Sequence, residues 1–535
     1  MKSKYYHFFF LLSILILYFV LSVGSALHES LTFDEIVHIE EGLNHLTYHT
    51  FAVDTNNPPL IRELAAIPLV FGLGRFIPTD IPSQQALPAR FVTILLGGAL
   101  LVAVFFFSRR YFGMIPAMLS VLLLAFEPAF LAHSHYVTLD TGFTLFFFLA
   151  CWALWRWVKR PTVINTVLFG IVFGLAASSK VSAWIFMVGI IGVFLFLQKT
   201  LFVRLIRPKQ IILVLVSCLL TIWATYFFTS DVVVAQRQDV GRVSSKLEAY
   251  AQQTHNQWLQ IGLYVLKYQP IPLGNYMATL KNNALRAHLS SDTFFLGRTY
   301  PSVSWYFLPV NFLLKTPLPL LIFFGLFLIQ LIRNTAFRKN TEIIWVPLLT
   351  IFTISSLLGL QPWVRYLLPA YPFLAIAGAL VIANITDRYL RYGAVFLVGW
   401  LIAGTLAQFP HFISYANELS GFRVNRYTKF ADSNIDWGQS LPDLAQYVQK
   451  EKPKSLTFSY FGRDNGDNYG LVSNRPYGSY TQPEICAFHE IPYGGYGERI
   501  VAISVTNWYQ CGYITQPQYQ KDKIRTVVGD SILIF

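Results

Sequence analysis

Charge is what this chain has least of. Only 13% of its 535 residues are Asp, Glu, Lys or Arg, against about 25% in an ordinary soluble domain. Hydrophobic residues make up 54% and aromatic residues 16%, and mean hydropathy is +0.47. That composition excludes a soluble globular chain and indicates a polytopic membrane protein. Cysteine is scarce too. Cys151, Cys218, Cys486 and Cys511 form no zinc-type Cys/His cluster, and the first two lie inside apolar runs as packing residues. There is no internal repeat and no low-complexity tract. The net charge of +13 does not indicate nucleic acid, because the basic residues fall in short clusters between apolar runs, as membrane topology requires.

What is present is a series of such runs. The first covers about residues 6–23, after Lys2 and Lys4. Residues 22–26 also resemble a signal-peptide cleavage site, but the many spans that follow favour a retained helix. Further runs lie near 90–108, 112–131, 142–158, 162–179, 182–198, 210–229, 305–332, 343–359, 366–385 and 393–409. Each approaches the roughly 20 residues that cross a bilayer, which predicts about eleven transmembrane helices. With the N-terminus cytoplasmic, the inner junctions hold Lys2/Lys4, Arg109/Arg110, Arg156/Lys159/Arg160, Lys199/Arg204/Arg207/Lys209, Arg333/Arg338/Lys339 and Arg388/Arg391. The agreement with the positive-inside rule predicts a multi-pass cell-membrane protein.

This topology divides the chain into a membrane domain, 1–409, and an extracytoplasmic C-terminal domain, 410–535. Within the first, outer loops span about 28–89 and 230–304. The second loop carries Arg237, Arg242, Lys246, Trp258, Tyr264 and Tyr276, a composition suited to helices on the membrane surface. The C-terminal domain reads as small α/β, with strands expected at Ser455–Phe461, Ile500–Val505 and Thr526–Phe535. Cys486 and Cys511 both fall in it, where a disulfide is one option.

Candidate chemistry begins at Thr32-Phe33-Asp34-Glu35, just outside the first span. Thr32 and Glu35 fit a helix capping box; that reading leaves Asp34, and His38 one turn later, without an explanation. Asn56-Asn57-Pro58-Pro59 is a rigid turn, and its amides are also placed to bind a polar group near the acids. His135 and Asp140 close the third span on the same outer side. Asp140 reads either as a helix cap or as a carboxylate facing Asp34 and Glu35. Glu35, Asp140 and His135 together have the donor types for a divalent metal ion. Lys180, Arg298, Lys315 and Arg365 sit at outer span ends. Each reads singly as a snorkelling anchor and jointly as a phosphate site. In the tail, Asp432, Asn434, Asp436 and Asp443 have part of a calcium-loop spacing, but Trp437 stands where the loop needs glycine. A structural turn, or a sugar-contacting Trp437 flanked by Asp432 and Asp436, suits those residues better.

These motifs resemble the GT-C superfamily of membrane glycosyltransferases, in particular the protein O-mannosyltransferase and aminoarabinose-transferase group and the RgtA/B/C/D-like enzymes. The resemblance rests on Asp34-Glu35, Asn57-Pro58-Pro59-Leu60, Val137-Thr138-Leu139-Asp140, and the pair Phe312–Leu318 with Arg365–Pro372. The tail motifs Tyr415–Leu419 and Asp432–Gln439 extend it over nearly the whole chain. Asn56-Asn57 departs from the Asn-His of many relatives.

The resemblance implies transfer of a sugar from a polyprenyl-phosphate donor lipid to a glycan, lipid or protein acceptor outside the cytoplasm, without nucleic acid. It implies Asp34 as an inverting general base. Glu35 and Asp140 would assist or hold a divalent metal, and Lys180, Arg298, Lys315 and Arg365 would hold donor phosphate. Asn57, His135, Asp432, Asp436 and Trp437 would contact acceptor or sugar. The rival reading is a transporter or flippase of a lipid-linked sugar, which would instead place its ionisable groups at mid-membrane and often show repeated halves.

Overall fold

The computed structural model describes residues 2–51, 54–74, 86–198, 208–233, 253, 257–286, 292–358, 361–471, 485–493, 495 and 497–535. Arg237, Arg242 and Lys246 lie outside the described residues, as do Lys199, Arg204 and Arg207 at an inner junction.

Apolar side chains all round a helix let it bury one side against neighbours and leave the other to lipid. The described chain is mostly helical on this pattern. Six helices are each long and apolar enough to cross a membrane, or up to eight spans if two sharply bent pairs count as one each. The bends are 66° between Met114–Ala125 and Pro128–His135, and 119° between Phe307–Lys315 and Leu318–Arg333. Three shorter apolar helices, Val163–Ser179, Ser182–Leu197 and Glu342–Leu357, occupy other expected runs. The first helix, Lys2–His28, packs into the bundle: its Tyr18 is fully buried and donates to the Ile94 carbonyl.

The loop after it folds back as two helices, Glu35–Tyr48 and Leu60–Val70. Gly42 makes their close approach possible, since a Cβ there would lie 2.2 Å from the Arg62 carbonyl oxygen. Glu63 is buried at this contact, and burial pushes its carboxyl up to about 8. His45, 3.8 Å away, has its imidazole pushed down by burial, so the two meet as neutral groups. A carboxyl raised in the fold favours folding below its unfolded value. That contribution is lost as pH rises from about 4.5 towards 8, with a slope of at most about 1.4 kcal/mol per pH unit. Glu63→Gln is therefore expected to match the parent in thermal unfolding near pH 5 and to exceed it near pH 8.

In the second outer segment, the helix Gln257–Tyr268 buries none of its residues and exposes Trp258, Tyr264 and Tyr268, as a surface-lying helix requires.

The C-terminal part carries a five-stranded mixed sheet. Its strand order is His489–Pro492, Ser455–Ser459, Arg499–Ser504, Ile532–Ile534 and Thr526–Val528. Only the Ser455–Ser459/Arg499–Ser504 pair is parallel. The expected strand at Thr526–Phe535 is a hairpin, because Gly529 and Asp530 take positive φ and turn the chain. Asp530 then receives Arg423, Ser414 and Gln408, which ties the sheet to the end of the last apolar helix. The helix Leu441–Glu451 packs its buried face on this sheet. Cys486 and Cys511 are disulfide-bonded across 25 positions. Replacing both with serine is expected to cost about 3 kcal/mol, seen as a lower unfolding temperature.

Candidate active site

Asp34 precedes the helix Glu35–Tyr48, and its side chain does not cap that helix. It turns instead to Arg365, whose Nη1 donates to Asp34 Oδ2 at 3.1 Å. Arg365 opens the short 3-10 turn Val364–Ala370, next to Trp363. Its guanidinium lies 4.5 Å from the Trp363 ring and 4.5 Å from the Trp437 ring. Flat stacking of this kind suits a guanidinium and fixes its plane. Its Nε is buried with no hydrogen-bond partner among the described residues.

The neighbouring ring, Tyr366, joins this cation to a second. Lys180 Nζ lies 5.0 Å from the Tyr366 centroid and donates to Asp140 Oδ1 at 2.7 Å. Asp140 is in the first turn of the helix Leu139–Lys159, while Lys180 follows the end of Val163–Ser179. Tyr366 thus lies between two cations, each paired with a carboxylate. Asp34 is the open member, its side chain 34% exposed against 5% for Asp140.

His38 and Arg62 back this group. Arg62 donates through Nε to His38 Nδ1 at 3.0 Å and pairs with Asp54. Burial, with help from Arg62, pushes the His38 imidazole down to about 4, so it is neutral at physiological pH. Asp54 also receives the side-chain amides of Asn56 and Asn57. Asn57 therefore shapes the turn behind the cluster.

On the other side of Trp363 is a cavity of about 240 Å³, lined among others by Asp432, Asn311, Gln361, Asp292 and Lys429. Asp432 has a φ of +53°, a conformation that aspartate tolerates better than most residues and that concentrates at functional sites. Burial pushes its carboxyl up to about 6 against the pull of Arg365.

Several residues named from the sequence lie elsewhere. Glu35 is fully buried. Its Oε1 accepts from Arg90 Nε and Val137 N, and its Oε2 from Arg90 Nη2 and from Thr32 N and Oγ1. Only the Glu35 side-chain half of the expected capping box forms, since Glu35 N bonds the Thr32 carbonyl and not its hydroxyl; Glu35 anchors the loop with both oxygens engaged. His135 is also fully buried and bonds Glu29 at 2.7 Å. Burial alone would raise Glu29, but His135 and His411 hold it down at about 2. Lys315 is buried and donates to the carbonyls of Ile413 and Asn434, so it fastens the tail to the bundle. Arg298 is exposed on the hairpin Thr293–Tyr300. Asp436 is buried and accepts from Thr506 N at 2.7 Å, and burial raises it to about 7. Trp437 is 1% exposed; it supports Arg365 and offers no face to a sugar. Asp443 pairs with His28 and His411, so the calcium-loop spacing gathers no ligand set.

Glu35, Asp140 and His135 do not fit a divalent metal. Glu35 is saturated, His135 is engaged with Glu29, and Asp140 faces the cation Lys180. What the cluster around Tyr366 can do is hold an anion between Lys180 and Arg365 while Asp34 accepts a proton. Arg62, Asp54, Trp363 and Tyr366 were not singled out by the sequence. Arg62 had one signal: a charge inside the apolar stretch Leu60–Val70.

Comparisons with known proteins agree with this frame. The family model described as dolichyl-phosphate-mannose-protein mannosyltransferase matches residues 68–227. The crystal structure of ArnT from Cupriavidus metallidurans bound to undecaprenyl phosphate aligns with a TM-score of 0.52 at 12% identity, covering 99% of this chain and 98% of that one. The apo form of the same protein gives 0.51 at 14% identity, covering 76% of this chain and 66% of that one. No curated protein sequence matches. At these identities the likeness establishes the fold alone: the chain is built like that ArnT structure.

Proposed function

We propose that this chain, with its GT-C fold, transfers a sugar from a polyprenyl-phosphate lipid to an acceptor outside the cytoplasm. The observation that carries the reading is the Asp34–Arg365 contact beside the Asp140–Lys180 pair. In this reading Asp34 is an accessible base next to two cations. Eleven spans with a cytoplasmic N-terminus put this cluster and the C-terminal sheet at the outer membrane face. The disulfide Cys486–Cys511 suits that compartment.

In this reading the donor phosphate enters between Lys180 and Arg365. The Nε of Arg365 and the ammonium of Lys180 supply charge-assisted hydrogen bonds. As Arg365 turns to phosphate, Asp34 is released to take the proton of an acceptor hydroxyl or amine. The acceptor atom attacks the anomeric carbon from the face opposite the phosphate, and the bond from that carbon to the phosphate oxygen breaks. The polyprenyl phosphate leaves with an added negative charge, which the two cations stabilise more strongly than the starting ester. One displacement inverts the anomeric centre. The cavity beside Trp363, with Asp432 at its wall, would take the part of the acceptor beyond the reacting group, which itself lies at Asp34. Contact with the Trp363 and Trp437 rings keeps the Arg365 guanidinium at the site as charge develops.

The reconstituted protein, given polyprenyl-phosphate sugar and an extract of envelope glycans and lipids, is expected to release free polyprenyl phosphate and form an inverted glycoside. Movement of the lipid between leaflets with its sugar–phosphate bond intact would favour the flippase reading.

A further inference from the structure

A second cluster lies away from the Asp34 group, where the C-terminal domain meets the ends of the first and last apolar helices. His28 is the last residue of the helix Lys2–His28. His411 follows the turn that ends the helix Arg388–Leu406. Asp443 is in the first turn of Leu441–Glu451. Their side chains converge: Asp443 Oδ1 is 3.1 Å from His28 Nε2 and 3.3 Å from His411 Nε2. One donor atom from each lies within 4.8 Å of the other two. We propose that His28, His411 and Asp443 bind a divalent cation of the zinc class, which fastens the C-terminal domain to the membrane bundle.

The spacing is the first argument. Ligand bonds of roughly 2.0–2.1 Å in a tetrahedral site put donor atoms about 3.3 Å apart, which both Asp443 contacts match. The donor set is the second: two imidazoles and one carboxylate suit zinc, whereas magnesium and calcium call for oxygen ligands. The third is the outer layer. The other ring nitrogen of His411, Nδ1, lies 3.2 Å from Glu29 Oε1, and Glu29 is fully buried. A metal-bound histidine has such a carboxylate behind it, which fixes the ring and its tautomer. The fourth is Asp443 Oδ2, which is buried and has no hydrogen-bond partner among the described residues. The His28 side chain is 32% exposed, which leaves an entry path and a position for water.

No transfer step depends on this ion, so the inference stands apart from the proposed reaction. The test uses the full-length protein in detergent, stripped with chelator and titrated with Zn²⁺, read by metal content and thermal unfolding. The expected result is one equivalent retained per chain, a rise in unfolding temperature with Zn²⁺ and none with Mg²⁺. His28→Ala, at a partly exposed position, is expected to fold and to lose at least about tenfold in affinity. Cobalt in place of zinc is expected to give the visible absorption of a tetrahedral site in the parent and to lose it in the variant. If the parent retains no zinc, or His28→Ala retains it equally well, a proton shared among His411, Glu29 and Asp443 accounts for the cluster and the inference is overturned.

Discussion

Asp34→Asn is expected to lower the transfer rate by about 10²–10⁴-fold, the usual contribution of a positioned base, while leaving the protein folded. The side chain is partly exposed and makes one ion pair, to Arg365. Its amide analogue keeps the shape and removes the proton acceptor. Affinity for polyprenyl phosphate is expected to stay level or increase, because Arg365 no longer has a competing carboxylate. A structural role for Asp34 would do the reverse and lower stability and lipid affinity together. Single-turnover rates with radiolabelled donor, set beside lipid binding to the same preparation, separate the two. His38 is buried and its Nδ1 is taken up by Arg62 Nε, which leaves Asp34 as the exposed acceptor.

Glu35→Gln, one residue further on, is expected to act on stability. Arg90 is fully buried and gives Glu35 two of its hydrogen bonds. Its remaining donors go to the carbonyls of Ala26, Glu29 and Ser30. Removing the carboxylate charge strands a buried guanidinium, at a cost of about 3–5 kcal/mol. The unfolding temperature and the yield of folded protein should fall, while the fraction that folds should transfer sugar at close to the parent rate. Two adjacent acids would thus have opposite signatures, one on rate and the other on stability.

That contrast shows how far the sequence could be read. Asp34 and Glu35 are neighbours with the same chemistry, and the capping box at Thr32–Glu35 was legible for one of them. What separates them is their partners, 331 positions away at Arg365 and 55 away at Arg90. Hydropathy and the positive-inside rule were enough to group Asp34, Asp140, Lys180 and Arg365 on one face, because membrane sidedness is a one-dimensional property. They could not distinguish cations that meet carboxylates from Lys315, which meets carbonyl oxygens. Trp437 looked like a sugar platform because polar residues flank it, yet its ring is buried under Arg365. The His28–His411–Asp443 group has no local signature at all, since its members are joined only by the docking of the C-terminal domain. Three runs of the C-terminal sheet, by contrast, were visible as apolar stretches between turn residues, one of them divided by the Gly529-Asp530 turn, whereas the strand His489–Pro492 was not foreseen.

In the proposed reaction the donor phosphate sits between Lys180 and Arg365, beside Asp34. A structure of the protein with undecaprenyl phosphate bound tests it most directly. Phosphate oxygens are expected within hydrogen-bonding distance of Lys180 Nζ and Arg365 Nε, with Asp34 released from the guanidinium. Phosphate bound at Arg298 or Lys315, with the Asp34–Arg365 and Asp140–Lys180 pairs both unchanged, would contradict it.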